Sequence, residues 1–102
     1  MTNVDRMLDA CADPTRRSVL MALRAGPLAV GAIAAGIPVT RSAVSQHLKV
    51  LTSAGLVQST ADGTRRIYRV DPDGFTELRG WFDQFWDDAL SAFADHVEET
   101  SK

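Results

Sequence analysis

The chain has 102 residues, of which 45% are hydrophobic and 24% charged, with a net charge of −2. This is the composition of one soluble domain with a modest core, and no apolar run is long enough to span a bilayer. Acidic residues and the lack of an apolar segment over Met1 to Asp9 argue against a secretory signal, and the lone Cys11 excludes an intrachain disulfide. A cytoplasmic protein is expected.

Val4, Met7, Leu8 and Cys11 recur at helical spacing, which predicts a short amphipathic helix over Met1 to Ala12 with Cys11 as a buried structural thiol. Asp13-Pro14 restarts the chain as an N-cap followed by a first-turn proline. The second helix reaches about Ala25, turns Val19, Leu20 and Leu23 inward and stops at Gly26-Pro27. After an extended Leu28-Ala29, Val30 to Ala35 reads as a small-residue helix ended by Gly36. Ala32, Ile33 and Ala35 are expected to cross closely over Val44, Leu48 and Leu51 of the next helix, in a helix-turn-helix.

That next helix is the stretch with the clearest functional reading. Thr40 is its N-cap and Gly55 its left-handed terminator. Ala43, Val44, Leu48, Val50, Leu51 and Ala54 fall on one arc. Arg41, Ser42, Ser45, Gln46, Lys49, Thr52 and Ser53 fall on the other, without a carboxylate. Gln and Ser can bond base edges, and Arg or Lys can reach guanine or phosphates, so the face suits the major groove of double-stranded DNA. An ordinary solvated surface helix is the alternative. His47, at the edge of the apolar arc, is expected to be packed or bonded to backbone.

Leu56 to Thr60 and Arg65 to Val70 predict two strands joined by Ala61-Asp62-Gly63-Thr64, because Asp-Gly between such segments marks a hairpin. Arg65 and Arg66 beside the tip would make it a wing that reaches DNA phosphates or a minor groove; the alternative is a plain sheet edge. Asp71 to Gly74 reads as a turn and cap. A last helix then runs from about Phe75 toward Val97. Its apolar residues Phe75, Leu78, Phe82, Phe85, Trp86, Ala89 and Phe93 form a stripe too wide for one small core. Pairing with the same helix of a second copy is favoured over a cap on the monomer.

Charge is unevenly distributed: residues 1–39 sum to +1, residues 40–70 to +4 and residues 71–102 to −7. The basic third is the one assigned to DNA, and the acidic remainder would weaken non-specific binding. An enzyme finds no support, since there is no phosphate-cradling glycine loop, no histidine-rich metal cluster and no nucleophile with a recognisable base. A protein-interaction module without DNA binding is the competing reading. It would require exposed apolar anchors among Arg41, Lys49, Arg65 and Arg66, where none is present.

The segments CADPTRRSVLMALRAGPLAVGAIA, AVSQHLKVLTSAGLV and DGTRRIYRVDPDG, with WFDQFW in the terminal helix, together resemble the ArsR/SmtB winged-helix repressors over nearly the whole chain. The resemblance implies a mainly α winged helix-turn-helix with a small β-hairpin, forming a homodimer through terminal helices. In chain order this divides one domain into N-terminal helices (1–27), helix-turn-helix (28–55), wing (56–70) and dimerisation helix (74–98). It also implies that Ser42, Ser45 and Gln46 read DNA while Arg41, Lys49, Arg65 and Arg66 hold its backbone, on an imperfect palindrome. An unidentified small-molecule inducer is compatible with it. Metal-sensing members carry a cysteine pair where this chain has Leu28-Ala29-Val30-Gly31, so soft-metal sensing there is excluded and no metal or cofactor is expected. His96 and Glu99 share a face near the end, but a closed zinc site wants more nitrogen ligands, and a solvated last turn is the better account.

Overall fold

The starts of the first two helices in the computed structural model, which describes residues 2–101, each have an identifiable side-chain cap. Helix α1 (Asn3–Cys11) opens with a capping box in which Thr2 Oγ1 accepts from the Asp5 N–H at 3.1 Å and Asp5 Oδ2 accepts from the Thr2 N–H at 3.2 Å. Helix α2 (Pro14–Leu23) follows after two residues, its first N–H groups donated to Asp13 Oδ1 from Thr15 at 2.8 Å and Arg16 at 3.0 Å. Arg16 and Arg17 then reach back. Arg16 Nε donates to the Ala10 carbonyl at 2.7 Å, and Arg17 Nη1 to the Cys11 and Ala12 carbonyls at 2.8 and 3.0 Å. These cations satisfy the open carbonyl end of α1 and lie where its dipole favours positive charge.

The chain continues through β1 (Leu28–Ala29), α3 (Val30–Ala35), α4 (Arg41–Ser53), β2 (Val57–Asp62), β3 (Arg65–Val70) and α5 (Pro72–Ser101). Helix α4 ends in a Schellman motif, with the Leu56 N–H on the Leu51 carbonyl at 3.0 Å, the Gly55 N–H on the Thr52 carbonyl at 3.1 Å and Gly55 at φ +81°. The three strands form an antiparallel sheet in the order β1-β3-β2, so the two residues expected to be merely extended instead pair as Leu28–Tyr68 and Ala29–Ile67. The hairpin is tighter than its sequence predicts. Strand pairing persists through Ala61–Arg66 and Asp62–Arg65, which reduces the turn to Gly63-Thr64 with Gly63 at φ +63°. Glycine at the first of two turn positions suits the twist of the flanking strands.

One core joins these elements: Met7 and Ala10 of α1, Val19 and Leu23 of α2, Ile33 of α3, Val44, Leu48 and Leu51 of α4, then Leu56, Val57 and Leu78. Helix α3 uses a different face from the expected one. Ala32 and Ala35 are exposed, while Val30, Ile33, Ala34 and Ile37 meet the core at the i, i+3, i+4, i+7 spacing of a single helix face. Val50, expected on the apolar arc of α4, is also exposed, because it lies at the margin of that arc beyond the reach of α2 and α3.

Helix α5 begins three residues before Phe75, with the Asp73 N–H on Asp71 Oδ1 at 3.0 Å and Pro72 at the first helical position. Its first turn lies directly on the end of α4. A methyl group built on Gly74 would overlap the Gly55 carbonyl oxygen, so only glycine permits this approach. Phe75 is half-buried and Leu78 is the last buried residue of the helix; from Arg79 to Glu99 every residue is exposed. The result is a molecule 68 Å long and 27 by 25 Å across, in which α5 projects as an arm.

Candidate nucleic-acid interface

Packing of α4 on α2 and α3 turns Arg41, Ser42, Ser45, Gln46, Lys49, Thr52 and Ser53 to solvent, all of them exposed. Thr40 Oγ1 accepts from the Ala43 N–H at 3.1 Å and sets where the helix begins. Arg41 does not project freely: its guanidinium lies over Gly31 of α3, about where a β-carbon there would make ordinary contact at 3.6 Å. His47 is half-buried and, after the backbone N–H of Arg16, is among the groups that hold the Asp13 carboxyl below the usual carboxylate range. Burial is also the main influence on the Cys11 thiol, pushing it up despite Arg17 and Arg16 nearby. Such a thiol is protonated and unreactive at neutral pH.

Two shallow grooves flank the exposed ridge of α4. One, of about 420 Å³, is bounded by Ser45, Gln46, Lys49, Thr52 and Ser53 on the helix and by Ser59, Arg66 and Tyr68 on the hairpin. The other, of about 460 Å³, lies between Gln46, Lys49, Val50 and Ser53 and the α1 residues Arg6 and Asp9. Gln46, Lys49 and Ser53 border both, so they stand at the crest of the surface. Short hydroxyls and an amide on this crest, with cations on either side, can bond base edges and phosphate oxygens from one helix seated in a groove.

The hairpin register separates two residues that adjacency in sequence would pair. Successive strand residues point to opposite faces. Arg66, opposite Ala61, lies on the face of Ser59 and Tyr68, with its Nη1 donating to Ser59 Oγ at 3.2 Å beside α4. Arg65, opposite Asp62, lies on the other face and forms an exposed ion pair with it at 3.3 Å. Ser59, Tyr68 and Arg6 were not anticipated. The alternation of Arg66 and Tyr68 along β3 is a signal that would have found Tyr68, whereas Ser59 depends on the hairpin register and Arg6 on how α1 packs beside α4.

The apolar stripe on α5 is solvent-facing in the single chain. Phe85, Trp86 and Phe93 are 57%, 61% and 65% exposed, and Phe82 and Ala89 are exposed beside them, with Trp81 stacked on Phe85 at 5.8 Å. Phe75 and Leu78, expected in the same stripe, pack instead against the core of their own chain. Among the described residues no three His, Cys, Asp or Glu side chains are grouped to hold a metal. No helix is long and apolar enough to cross a membrane among those residues.

Residues 13–59 match the model of the bacterial regulatory protein, arsR family. The chain is 50% identical to the HTH-type transcriptional regulator Rv2034 of Mycobacterium tuberculosis over 94 residues, covering 92% of this chain and 88% of that one. Its fold is similar to the crystal structure of a possible transcriptional regulator for arsenical resistance, with TM-score 0.73 and 47% identity over 88% of this chain and 93% of the other. It is also similar to the homodimeric winged helix-turn-helix DNA-binding domain of Mb0332 from Mycobacterium bovis, with TM-score 0.69 and 32% identity over 86% and 82% of the two chains. The winged helix-turn-helix described above therefore has its place among transcriptional regulators and not among enzymes, and the chain belongs to the ArsR family of DNA-binding regulators.

Proposed function

We propose that the protein is a cytoplasmic homodimeric repressor that binds an imperfect palindrome in duplex DNA, one α4 in each of two successive major grooves. The observation that carries this reading is the carboxylate-free face of α4 opening into a groove shared with Arg66, Ser59 and Tyr68 of the wing. In this reading Ser42, Ser45 and Gln46 contact bases, and Arg41, Lys49 and Arg66 neutralise phosphates. The projecting α5 supports the dimer, because an isolated arm would leave Phe82, Phe85, Trp86, Leu90 and Phe93 in water. At 100° per residue these apolar side chains occupy one half of the helix, and Asp83, Asp87, Asp88 and Asp95 the other, so two arms can pair with their carboxylates outward. Repression is what such a dimer does without further parts, by occupying DNA that a polymerase must enter.

Selection from random-sequence DNA tests the proposal. The expected product has two inverted half-sites centred about one helical turn, roughly 34 Å, apart. On that product Gln46→Ala should cost about 1–3 kcal/mol while barely changing affinity for unrelated DNA. Recovered sequences without dyad symmetry, bound by one chain each, would overturn it.

A further inference from the structure

A large concavity lies away from the exposed face of α4, between the end of α1, the outer side of α2, β3 and the first turn of α5. It encloses about 930 Å³ and is walled by Leu20, Met21, Leu23, Val70 and Phe75. That size and apolar lining are those of a small-molecule pocket. The polar groups at its margin are of one sign: Arg17, Arg24 and Arg69 all border it, and no Asp or Glu does. Among the described residues none of the three forms an ion pair with a carboxylate. Each has its Nη1 on a neutral oxygen: Cys11 and Ala12 carbonyls for Arg17, the Met21 carbonyl for Arg24 and Thr60 Oγ1 for Arg69. A guanidinium carries five N–H donors, so each retains others for a ligand.

We propose that this cavity binds an amphipathic carboxylate, its hydrocarbon chain between α2 and Phe75 and its head group at the Arg24 and Arg69 guanidiniums. A neutral apolar ligand would leave the cationic rim unused, and a cationic one would be repelled by it. The exposed stripe of α5 lies beyond Leu78, whereas the cavity is reached only by Phe75 of that helix, so the surface left for a second chain and the surface left for a ligand are different stretches. This assignment goes beyond the DNA-binding reading and does not depend on it.

The test is calorimetric titration of the full chain, without DNA, with decanoate below its micelle concentration. Acetate and 1-decanol serve as controls lacking the chain and the charge. Two variants address the site: Arg24→Ala with Arg69→Ala removes the rim charge, and Ala25→Trp fills the mouth from an exposed position. Thermal melting first establishes that both fold. Saturable binding of one decanoate per chain, weakened about tenfold or more by each variant and absent for acetate, supports the proposal; tenfold is about 1.4 kcal/mol. Failure of wild-type protein to bind decanoate, equal binding by the variants, or equal binding of 1-decanol would overturn it. So would a wild type that binds no decanoate while Ala25→Trp alters its oligomeric mass, since a second copy would then occupy the cavity.

Discussion

The hairpin register makes a prediction that adjacency in sequence does not. Arg66 and Arg65 are neighbours of the same charge, yet Arg66 borders the groove beside α4 while Arg65 points to the opposite face and is paired with Asp62 at 3.3 Å. If the wing neutralises DNA phosphates, Arg66 is the residue that does so. Removing one phosphate contact lowers the slope of log K against log salt by about 0.9, and a dimer carries two copies, so Arg66→Ala should flatten the slope by up to about 1.8. Arg65→Ala should flatten it less, since Asp62 already offsets that charge. Both side chains are exposed, so neither substitution should move folding stability by more than about 0.5 kcal/mol. Fluorescence anisotropy on one operator, titrated between about 50 and 200 mM salt, measures the slopes over the range where the effect is large. A loss for Arg65→Ala equal to or greater than that for Arg66→Ala would refute the assignment of faces.

Three further outcomes are expected. Phe85→Asp with Phe93→Asp places two carboxylates in the apolar stripe of α5 and should yield a folded monomer with weakened operator binding, read by sedimentation and anisotropy; an unchanged dimer mass would exclude this face from the interface. Gly74→Ala should destabilise by roughly 1–3 kcal/mol in urea titration despite alanine's better helix propensity, because its methyl group meets backbone that cannot rotate away. The carboxyls of Asp13, through the Arg16 and Thr15 N–H groups, and Asp5, chiefly through Thr2, are held below their ordinary value. Their contribution is therefore full above the unfolded pKa near 3.9 and is lost as pH falls through the lower folded value. Asp13→Asn should make the urea midpoint less dependent on pH in that acid window, and an identical profile would show that the cap does not contribute.

Local chemistry explains which features were legible in the chain alone. Asp13 and Thr40 hydrogen-bond N–H groups two or three residues away, Gly55 takes a conformation that its own backbone permits, and the spacing of Val44, Leu48 and Leu51 marks a helix face in any fold. The exposed polar face of α4 followed directly, lying opposite that apolar arc. Boundaries moved where two local signals competed. Asp71-Pro72-Asp73-Gly74 carries both turn and helix-start chemistry, and the Asp71 cap with Pro72 at the first position settled it as a helix start.

Other features belong to the tertiary structure because they depend on residues distant in sequence. Leu28-Ala29 becomes a strand only when Tyr68 and Ile67 arrive beside it, and the same ladder sends Arg65 and Arg66 to opposite faces. Gly74 is indispensable only because the end of α4 lies against it. The stripe on α5 divides at Leu78, since the core is filled by that point and the remaining aromatic residues have nothing of their own chain to cover them. Sequence thus determined the starts of α2 and α4, the exposed polar face of α4 and the basic character of residues 40–70. Packing decided which faces share a groove, because a hydrogen-bonded cap is satisfied within one turn whereas a groove is made by elements that must first meet.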